Sequence, residues 1–173
     1  MAKLNHVAKT TPMKMAAGAL FLHEGKILIV KPSYLDYWLP PGGGIEAGES
    51  PKDACIREVR EEIGLTITPG RLLCVDYVAK ETLIGMHHRM QRTTQDELIF
   101  MFFGGYLTAE QLQAIQLGEG ELTEFRCLPL AEALPLFPNY LQARIPRCLE
   151  ALEQNTAVYL ENGYIVLNDA SVH

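Results

Sequence analysis

An acidic segment that directly follows three consecutive glycines is the feature that most constrains this chain. Ser50 is a favourable N-cap, and Pro51 suits the first helical position because its missing N–H would be unpaired there. Gly64 suits the end of a helix because glycine readily adopts the left-handed conformation. The sequence therefore predicts a helix over 51–63.

Three glutamates of this helix, Glu58, Glu61 and Glu62, stand at positions i, i+3 and i+4. Their side chains therefore emerge from one face, and their charges repel unless something neutralises them. One interpretation is a solvated helix face with Arg57 and Arg60 as ordinary ion-pair partners. The other is a cation site.

The glycines at 42–44 favour the cation site. We expect them to form a tight turn in which the backbone approaches a ligand closely. Hard cations such as Mg²⁺ and Mn²⁺ prefer carboxylate, carbonyl and water oxygens, which a loop carbonyl and three glutamates would supply. The segment therefore suits divalent cations beside a phosphate chain.

The same segment carries the pattern G-x5-E-x7-R-E-U-x-E-E-x-G-U, in which U is a bulky aliphatic residue. Its specified positions are Gly43, Glu49, Arg57, Glu58, Val59, Glu61, Glu62, Gly64 and Leu65. On these residues the chain resembles the Nudix hydrolases, with no departure at any fixed position. A Trp-Leu-Pro-Pro-Gly-Gly segment before the pattern and the stretch 121–125 extend the resemblance over most of the chain, although only the pattern is specific.

The resemblance implies that water attacks a phosphorus atom of a nucleoside diphosphate linked to another moiety, with Mg²⁺ or Mn²⁺ as the cofactor. By position, the implied metal ligands are Glu58, Glu61, Glu62 and the Gly43 carbonyl. Arg57 would orient the glutamates, and Glu49 would assist the helix start or the metal shell. Glu61, Glu62 and Arg57 are thus the predicted catalytic residues, together with a general base.

The general base lies either in the pattern or in a loop elsewhere. If a loop supplies it, the candidates are Glu119 and Glu121, which stand on a glycine-containing stretch before the late strand. A solvated loop is the alternative interpretation of both residues.

Substrate-binding candidates come from three segments. The 80–96 loop holds a basic cluster that could meet the phosphates or the distal group, consisting of His87, His88, Arg89 and Arg92. Lys31 could face a phosphate, and Tyr37 or Trp38 could stack on a base. The alternatives are exposed loop charge for the cluster and core or rim packing for the aromatic residues.

The substrate class stays open within the resemblance. Lys80 and Thr82 stand near the places where the ADP-ribose and dinucleoside polyphosphate branches carry a proline or tyrosine, and no coenzyme A-type motif precedes the pattern. Nucleoside triphosphates, nucleotide sugars and ADP-ribose remain candidates. Two other function classes also remain, a nucleotide-binding regulator without catalysis and an isomerase of a small diphosphate.

Composition favours one domain over residues 1–173. The chain is 48% hydrophobic and 21% charged, and its formal net charge of −6 disfavours binding to nucleic acid or an anionic membrane. Its four cysteines are widely spaced, so we expect reduced, mostly buried thiols. The apolar runs are too short to span a membrane. We therefore expect a cytoplasmic protein with a small-molecule nucleotide partner.

Hydrophobic patterns predict the remaining elements. We expect a first hairpin over 15–30 and strands over 71–79, 97–107 and 124–128. We expect helices over 108–115, capped by Thr108, over 130–136 and over 140–154. The strand over 97–107 is almost continuously apolar and should be central. Asn162-Gly163 predicts a final hairpin within 157–168, either an edge addition or a homodimer contact, and residues 1–14 should be flexible. This order suits a mixed sheet covered on both faces, the α/β/α sandwich that the resemblance implies.

Overall fold

The computed structural model describes residues 13–84 and 95–166, which build a mixed eight-stranded sheet. Its strands are β1 (Met13–His23), β2 (Lys26–Pro32), β3 (Gly42–Gly44), β4 (Leu72–Val78), β5 (Asp96–Tyr106), β6 (Leu122–Leu128), β7 (Val158–Glu161) and β8 (Tyr164–Ile165). Their order is β6-β2-β1-β5-β4-β7-β8, and β3 pairs separately with β1. The predicted central place of the apolar strand β5 is confirmed.

Within the described ranges, five α-helices accompany the sheet: α1 (Pro51–Ile63), α2 (Lys80–Ile84), α3 (Ala109–Gln113), α4 (Leu130–Ala133) and α5 (Asn139–Glu153). A 3-10 turn, Leu134–Leu136, continues α4. The Thr108 side chain caps α3 through a reciprocal capping box with Gln111, so the predicted cap is confirmed. No helix of the described residues is long and apolar enough to cross a membrane.

Two apolar clusters cover opposite faces of the sheet. The first lies between α1 and the sheet and includes Ala17, Ala19, Phe21, Leu28, Val30, Val59 and Ile63. The second lies between α5 and the sheet and includes Leu20, Ile27, Ile29, Ile99, Leu141, Ile145 and Cys148. Successive residues of β1 and β2 alternate between these clusters, as the two-residue period of a strand requires. The predicted α/β/α sandwich is therefore confirmed.

The glycines that follow Pro41 depart from the prediction. They form the short strand β3 instead of a tight turn, and its register pairs Gly42 with Gly18 and Gly44 with Ala16. The pairing brings two backbones together where glycine has no side chain to obstruct them. Pairing with β1 thus holds the glycine strand β3 against α1.

The two ends of the described chain also refine the predictions. β1 already includes residues 13 and 14, while the rest of the segment predicted to be flexible lies outside the described residues. The final hairpin is confirmed over 158–165, with Asn162 and Gly163 both at positive φ. β7 pairs with β4 and β8 lies beyond it, so the hairpin is an edge addition to the sheet.

The four cysteines are free thiols, and three of them are buried. Cys74 of β4 and Cys148 of α5 meet with their sulfur atoms 3.5 Å apart. The contact joins α5 to the sheet, on the face opposite α1.

Candidate active site

The start of α1 places the acidic residues. The Ser50 hydroxyl accepts a hydrogen bond from the backbone N–H of Asp53, and Gly64 ends the helix with φ of 73°. Both predicted helix ends are therefore confirmed. The helix packs across β1 and β3, so its glutamates stand beside the glycine strand.

Arg57 is the centre of the acidic cluster. Its Nε donates to Glu49 Oε1 at 2.9 Å, and its Nη1 donates to Glu58 Oε1 at 2.7 Å and to Glu61 Oε2 at 3.0 Å. Its Nη2 donates to the Gly44 carbonyl at 2.8 Å and to Glu49 Oε2 at 3.0 Å. One guanidinium group therefore joins three carboxylates to the glycine strand, and the ion pairs that the resemblance implied are present.

Glu62 of α1 binds the glycine strand directly and does not bind Arg57. Its side chain accepts a hydrogen bond from the Gly42 N–H at 2.8 Å, and only 9% of the residue is exposed. Burial is the main cause that raises the pKa of Glu62 to about 8; the Gly42 hydrogen bond opposes this shift, and the charges of Glu58 and Glu121 add to it. This carboxyl group is thus poised to bind a proton or a cation.

Glu58 shares this environment, whereas Glu49 does not. Burial raises the pKa of Glu58 against the opposing effect of Arg57. The hydrogen bond from Arg57 holds the pKa of Glu49 below its usual value. A Cβ atom on Gly43 would lie 2.5 Å from the Glu58 carboxyl group, so glycine is what lets this carboxylate lie against the strand.

The two general-base candidates differ in their surroundings. Glu121 lies close enough to raise the pKa values of both Glu58 and Glu62, whereas Glu119 does not contribute to either shift. Before them, the N–H groups of Gln116 and Gly118 donate to the carbonyls of Ile63 and Glu62. This segment therefore pairs with the last carbonyl groups of α1 and brings Glu121 towards the acidic cluster.

The donor set suits a divalent cation. Carboxylates crowded enough to raise one another's pKa values, beside exposed backbone carbonyls, are ligands that Mg²⁺ prefers. Among the described residues no three acidic, histidine or cysteine side chains already converge as a metal site. The reason is visible in the contacts: Glu58 and Glu61 turn to Arg57, and Glu62 turns to Gly42.

The family model for the NUDIX domain matches residues 12–148, most of the chain. The chain belongs to the Nudix family. Its acidic helix and glycine strand therefore form the Nudix box, as the resemblance implied.

Similar proteins support this assignment. The chain is 40% identical over 65 residues to a putative ADP-ribose pyrophosphatase, YjhB of Bacillus subtilis (strain 168), an alignment that covers 38% of this chain and 31% of that protein. It is 49% identical over 53 residues to diphosphoinositol polyphosphate phosphohydrolase 3-alpha of Mus musculus, covering 30% of this chain and 32% of that protein. The alignments thus span about a third of each of these relatives.

A solved structure shows the shared fold. The MutT protein from Methanosarcina mazei Go1 superposes with a TM-score of 0.62 at 24% sequence identity, over 84% of this chain and 96% of that chain. At this identity the likeness concerns the architecture alone. The Nudix fold of this chain is therefore confirmed by a structural neighbour of nearly the same extent.

The structure describes only some of the predicted substrate-binding residues. Trp38 belongs to the core, with 6% of its surface exposed and Arg126 4.6 Å from its ring centroid, so the packing alternative is correct for it. Lys31 follows Val30 on β2 and lies on the sheet face away from α1. The basic cluster His87, His88, Arg89 and Arg92 lies outside the described residues.

Tyr37 interacts with two residues that line a cavity. Burial raises its pKa, and Tyr140 and Glu97, which both line the cavity, add to the shift. The cavity measures about 140 Å³ and lies between β1, β5 and α5, with Gly42 and Gly43 of the Nudix box on its wall. It therefore adjoins the acidic cluster across the glycine strand.

Sequence reasoning missed Arg144, which lines the same cavity. Its Nε donates to Asp76 Oδ2 at 2.7 Å, and both residues are buried. A signal was available, since Arg144 stands on the apolar stripe of α5 between Leu141 and Cys148. A charged residue on a core-facing stripe needs a buried partner or a ligand.

Proposed function

We propose that this protein is a metal-dependent hydrolase that cleaves a pyrophosphate bond in a nucleoside diphosphate linked to another moiety. Nucleoside triphosphates, nucleotide sugars and ADP-ribose are the substrate types considered. The B. subtilis relative is named as a putative ADP-ribose pyrophosphatase, and the mouse relative as a diphosphoinositol polyphosphate phosphohydrolase. Both names describe hydrolysis at phosphorus, which supports the reaction class.

One observation carries the proposal: the four acidic positions of the Nudix box are linked to the glycine strand, three of them through Arg57 and one directly. Arg57 binds Glu49, Glu58 and Glu61, and the Gly42 N–H binds Glu62. A merely solvated helix face would not bury one of these carboxyl groups. It would also not link the others, through one arginine, to a backbone carbonyl. The arrangement instead has more carboxylates than cationic side chains, which suits the binding of a metal cation.

Each box residue has a part in this proposal. Glu58, Glu61, Glu62 and the Gly43 carbonyl would hold Mg²⁺ or Mn²⁺, which when bound neutralises phosphate oxygens and lowers the pKa of a water. Arg57 keeps the carboxylates oriented through its bonds to Glu49 and the Gly44 carbonyl. Arg57 is thus a positioning residue.

A carboxylate near this cluster would accept the proton of the attacking water. Proximity to Glu58 and Glu62 supports Glu121 in this role over Glu119. Because both residues are exposed on one short segment, their glutamine variants form a matched pair. We expect Glu121→Gln to lower kcat by about 10²-fold or more, the scale of losing a general base, and Glu119→Gln to cost much less.

The direct test incubates the protein with Mg²⁺ and a panel of nucleoside triphosphates, nucleotide sugars and ADP-ribose. Chromatography should detect a nucleoside monophosphate together with the complementary phosphorylated product. Glu61→Gln and Glu62→Gln should each lower kcat by about 10²–10³-fold, the scale of losing one fixed group that stabilises transition-state charge.

The matched control is Glu153→Gln, which changes an exposed glutamate at the far end of α5. It should keep the wild-type rate, and thermal unfolding should be cooperative for all three variants. No turnover of any panel member, beside an active control hydrolase, would refute the proposed function. Near wild-type rates in folded Glu61→Gln and Glu62→Gln would refute the site assignment.

A further inference from the structure

A buried arginine on the wall of the cavity beside the glycine strand has one guanidinium nitrogen without a hydrogen-bond partner in the described part of the chain. Arg144 is 2% exposed, and its Nη2 has no hydrogen-bond partner among the described residues. Leaving a buried donor unpaired costs about 1–3 kcal/mol, and more when the group is charged. Such a group needs an explanation, and a ligand that enters the cavity from solvent provides one.

The position of Arg144 is set by contacts on two sides. Its Nε donates to Asp76 at 2.7 Å, and its guanidinium lies 4.9 Å from the ring centroid of Tyr140. The other carboxylate oxygen of Asp76 accepts from the Gly163 N–H at 3.1 Å. Both Asp76 oxygens therefore have donors, and the guanidinium cannot swing away to find a partner without breaking the pair.

The charges of the cavity disfavour an anion. Asp76 already balances Arg144, and the Glu97 carboxylate stands on the cavity wall. A phosphate placed there would meet Glu97 without gaining an unbalanced cation. An uncharged group with an acceptor for Arg144 and a neighbouring donor for Glu97 would suit both residues. Glu97 makes other contacts, but a carboxylate can accept several hydrogen bonds.

The size and lining of the cavity restrict the group further. The cavity measures about 140 Å³, close to the volume that holds one benzene-sized ring, and it is open to solvent, so a second fused ring can extend beyond it. Its remaining wall is mainly apolar and includes Ala16, Leu39, Ile99, Met101 and Leu141. A flat ring with one polar edge matches such a wall better than a flexible polyol.

The glycine strand connects this cavity to the acidic cluster. Gly42 and Gly43 line the cavity, while the Gly42 N–H binds Glu62 and Gly43 lies against Glu58. A substrate whose phosphates lie at the glutamates can therefore place its distal group in the cavity.

We propose that Arg144 and Glu97 recognise a cyclic amide, a ring carbonyl next to a ring N–H, on the heterocycle that the substrate carries beyond its phosphates. Nη2 of Arg144 donates to the carbonyl oxygen, and the Glu97 carboxylate accepts from the N–H. Asp76 is the positioning residue that holds Arg144. The proposal deepens the proposed function, on which it rests for the location of the phosphates.

The test measures binding by calorimetry and needs no turnover. The probes are inosine 5′-monophosphate, purine riboside 5′-monophosphate, which lacks the ring carbonyl and its N–H, and ribose 5-phosphate, which lacks the ring. The wild-type protein should bind the inosine compound at least about tenfold more tightly than the purine riboside compound, the scale of one charged hydrogen bond. Equal affinities, or no binding of either nucleotide, would overturn the proposal and leave water as the partner of Arg144.

Two variants test the charged pair and the cavity separately. Arg144→Met combined with Asp76→Asn removes the charged pair while keeping an acceptor for the Gly163 N–H, so it avoids leaving a lone buried charge. It should bind both nucleotides within about twofold of each other. Ala16→Val fills part of the cavity without touching the pair, and it should weaken the inosine compound about tenfold while leaving ribose 5-phosphate unchanged.

Arg147→Met is the matched control, because Arg147 lies one turn along α5 in an exposed pair with Glu150. It should retain the wild-type preference. If the double variant does not fold, Ala16→Val and the wild-type comparison decide between the outcomes. Discrimination without hydrolysis would refute only the proposed function, and hydrolysis without discrimination would refute only the cyclic amide site.

Discussion

Two arginines organise the two sides of this molecule, and they do so differently. Arg57 binds three carboxylates and a backbone carbonyl at the rim of the sheet, where the Glu61 side chain is 49% exposed. Arg144 binds one carboxylate inside the α5 face, where neither partner reaches solvent appreciably. The first cluster has more acid than base, and the second has a matched pair with one unsatisfied N–H.

The difference determines how strongly each cluster contributes to stability. Excess carboxylate at a rim can be neutralised by a cation from solvent, so the Arg57 cluster suits chemistry. A buried pair has no such compensation, and removing one partner leaves an isolated charge in a medium that solvates it poorly. Damage to the Arg57 cluster should therefore appear mainly in rates, and damage to the Arg144 pair should appear in stability as well as in the proposed ligand binding.

The largest effect should follow Arg144→Met. The variant leaves Asp76 buried without its charged partner, which should lower the free energy of unfolding by about 3–5 kcal/mol. Urea denaturation measures this difference. The exposed control Arg147→Met should change the value by less than about 1 kcal/mol. A loss below that level in Arg144→Met would contradict the assignment of the pair to stability.

The glycine beneath the buried pair offers a second test. A Cβ on Gly163 would contact the Tyr140 carbonyl and come within 2.9 Å of Ala143 Cβ, at a φ of +86°. Gly25 has a similar φ of +75° with nothing within 4 Å, so Gly25→Ala isolates the backbone cost of about 1–2 kcal/mol.

Gly163→Ala should cost about 1–3 kcal/mol more than Gly25→Ala, because crowding adds to the same backbone strain. Thermal unfolding of the two variants side by side measures the difference. Equal melting temperatures would mean that the hairpin does not pack closely against α5 at this position.

The glycine strand provides the opposite case. Gly43→Ala would bring a Cβ to 2.5 Å from the Glu58 carboxyl group, whose flexible side chain can move aside, so stability should change by less than about 1 kcal/mol. Activity should fall about tenfold or more because Glu58 leaves its place. Gly44→Ala meets nothing within 4 Å and should keep its rate. Equal rates for the two variants would argue against a role for Glu58.

The smallest effect concerns pH. Because burial raises the pKa of Glu62 from 4.5 to about 8, the native state keeps a proton that the unfolded state has released. This contribution to stability is complete below the unfolded pKa and is lost as pH rises through about 8. In chelator, the wild type should lose at least about 1 kcal/mol more than Glu62→Gln between pH 5 and 8, the equivalent of about one pKa unit. Parallel stability curves would show that Glu62 titrates normally.

Much of the architecture could be predicted from local patterns. The caps of α1, the capping residue of α3 and the Asn162-Gly163 turn were read correctly because each depends on a few adjacent residues. The glycine segment was misread as a turn because its strand character comes from pairing with β1. The sequence left Trp38 open between base stacking and packing, because exposure depends on what folds over a residue, and the structure buries it in the core.

By itself, the sequence determined the Nudix box, the carboxylate face of α1 and the order of the longer strands and helices, but not the short strand β3 or the helix α2 within the predicted 80–96 loop. These features follow from residue spacing and local backbone preference, which the chain carries whether or not it is folded. Only the tertiary structure decided that Glu62 is buried against the Gly42 N–H and that Arg144 meets Asp76, 68 residues away. Burial and ion pairing of this kind arise from the approach of distant segments. These contacts give Arg57 and Arg144, which carry the same guanidinium group, different roles.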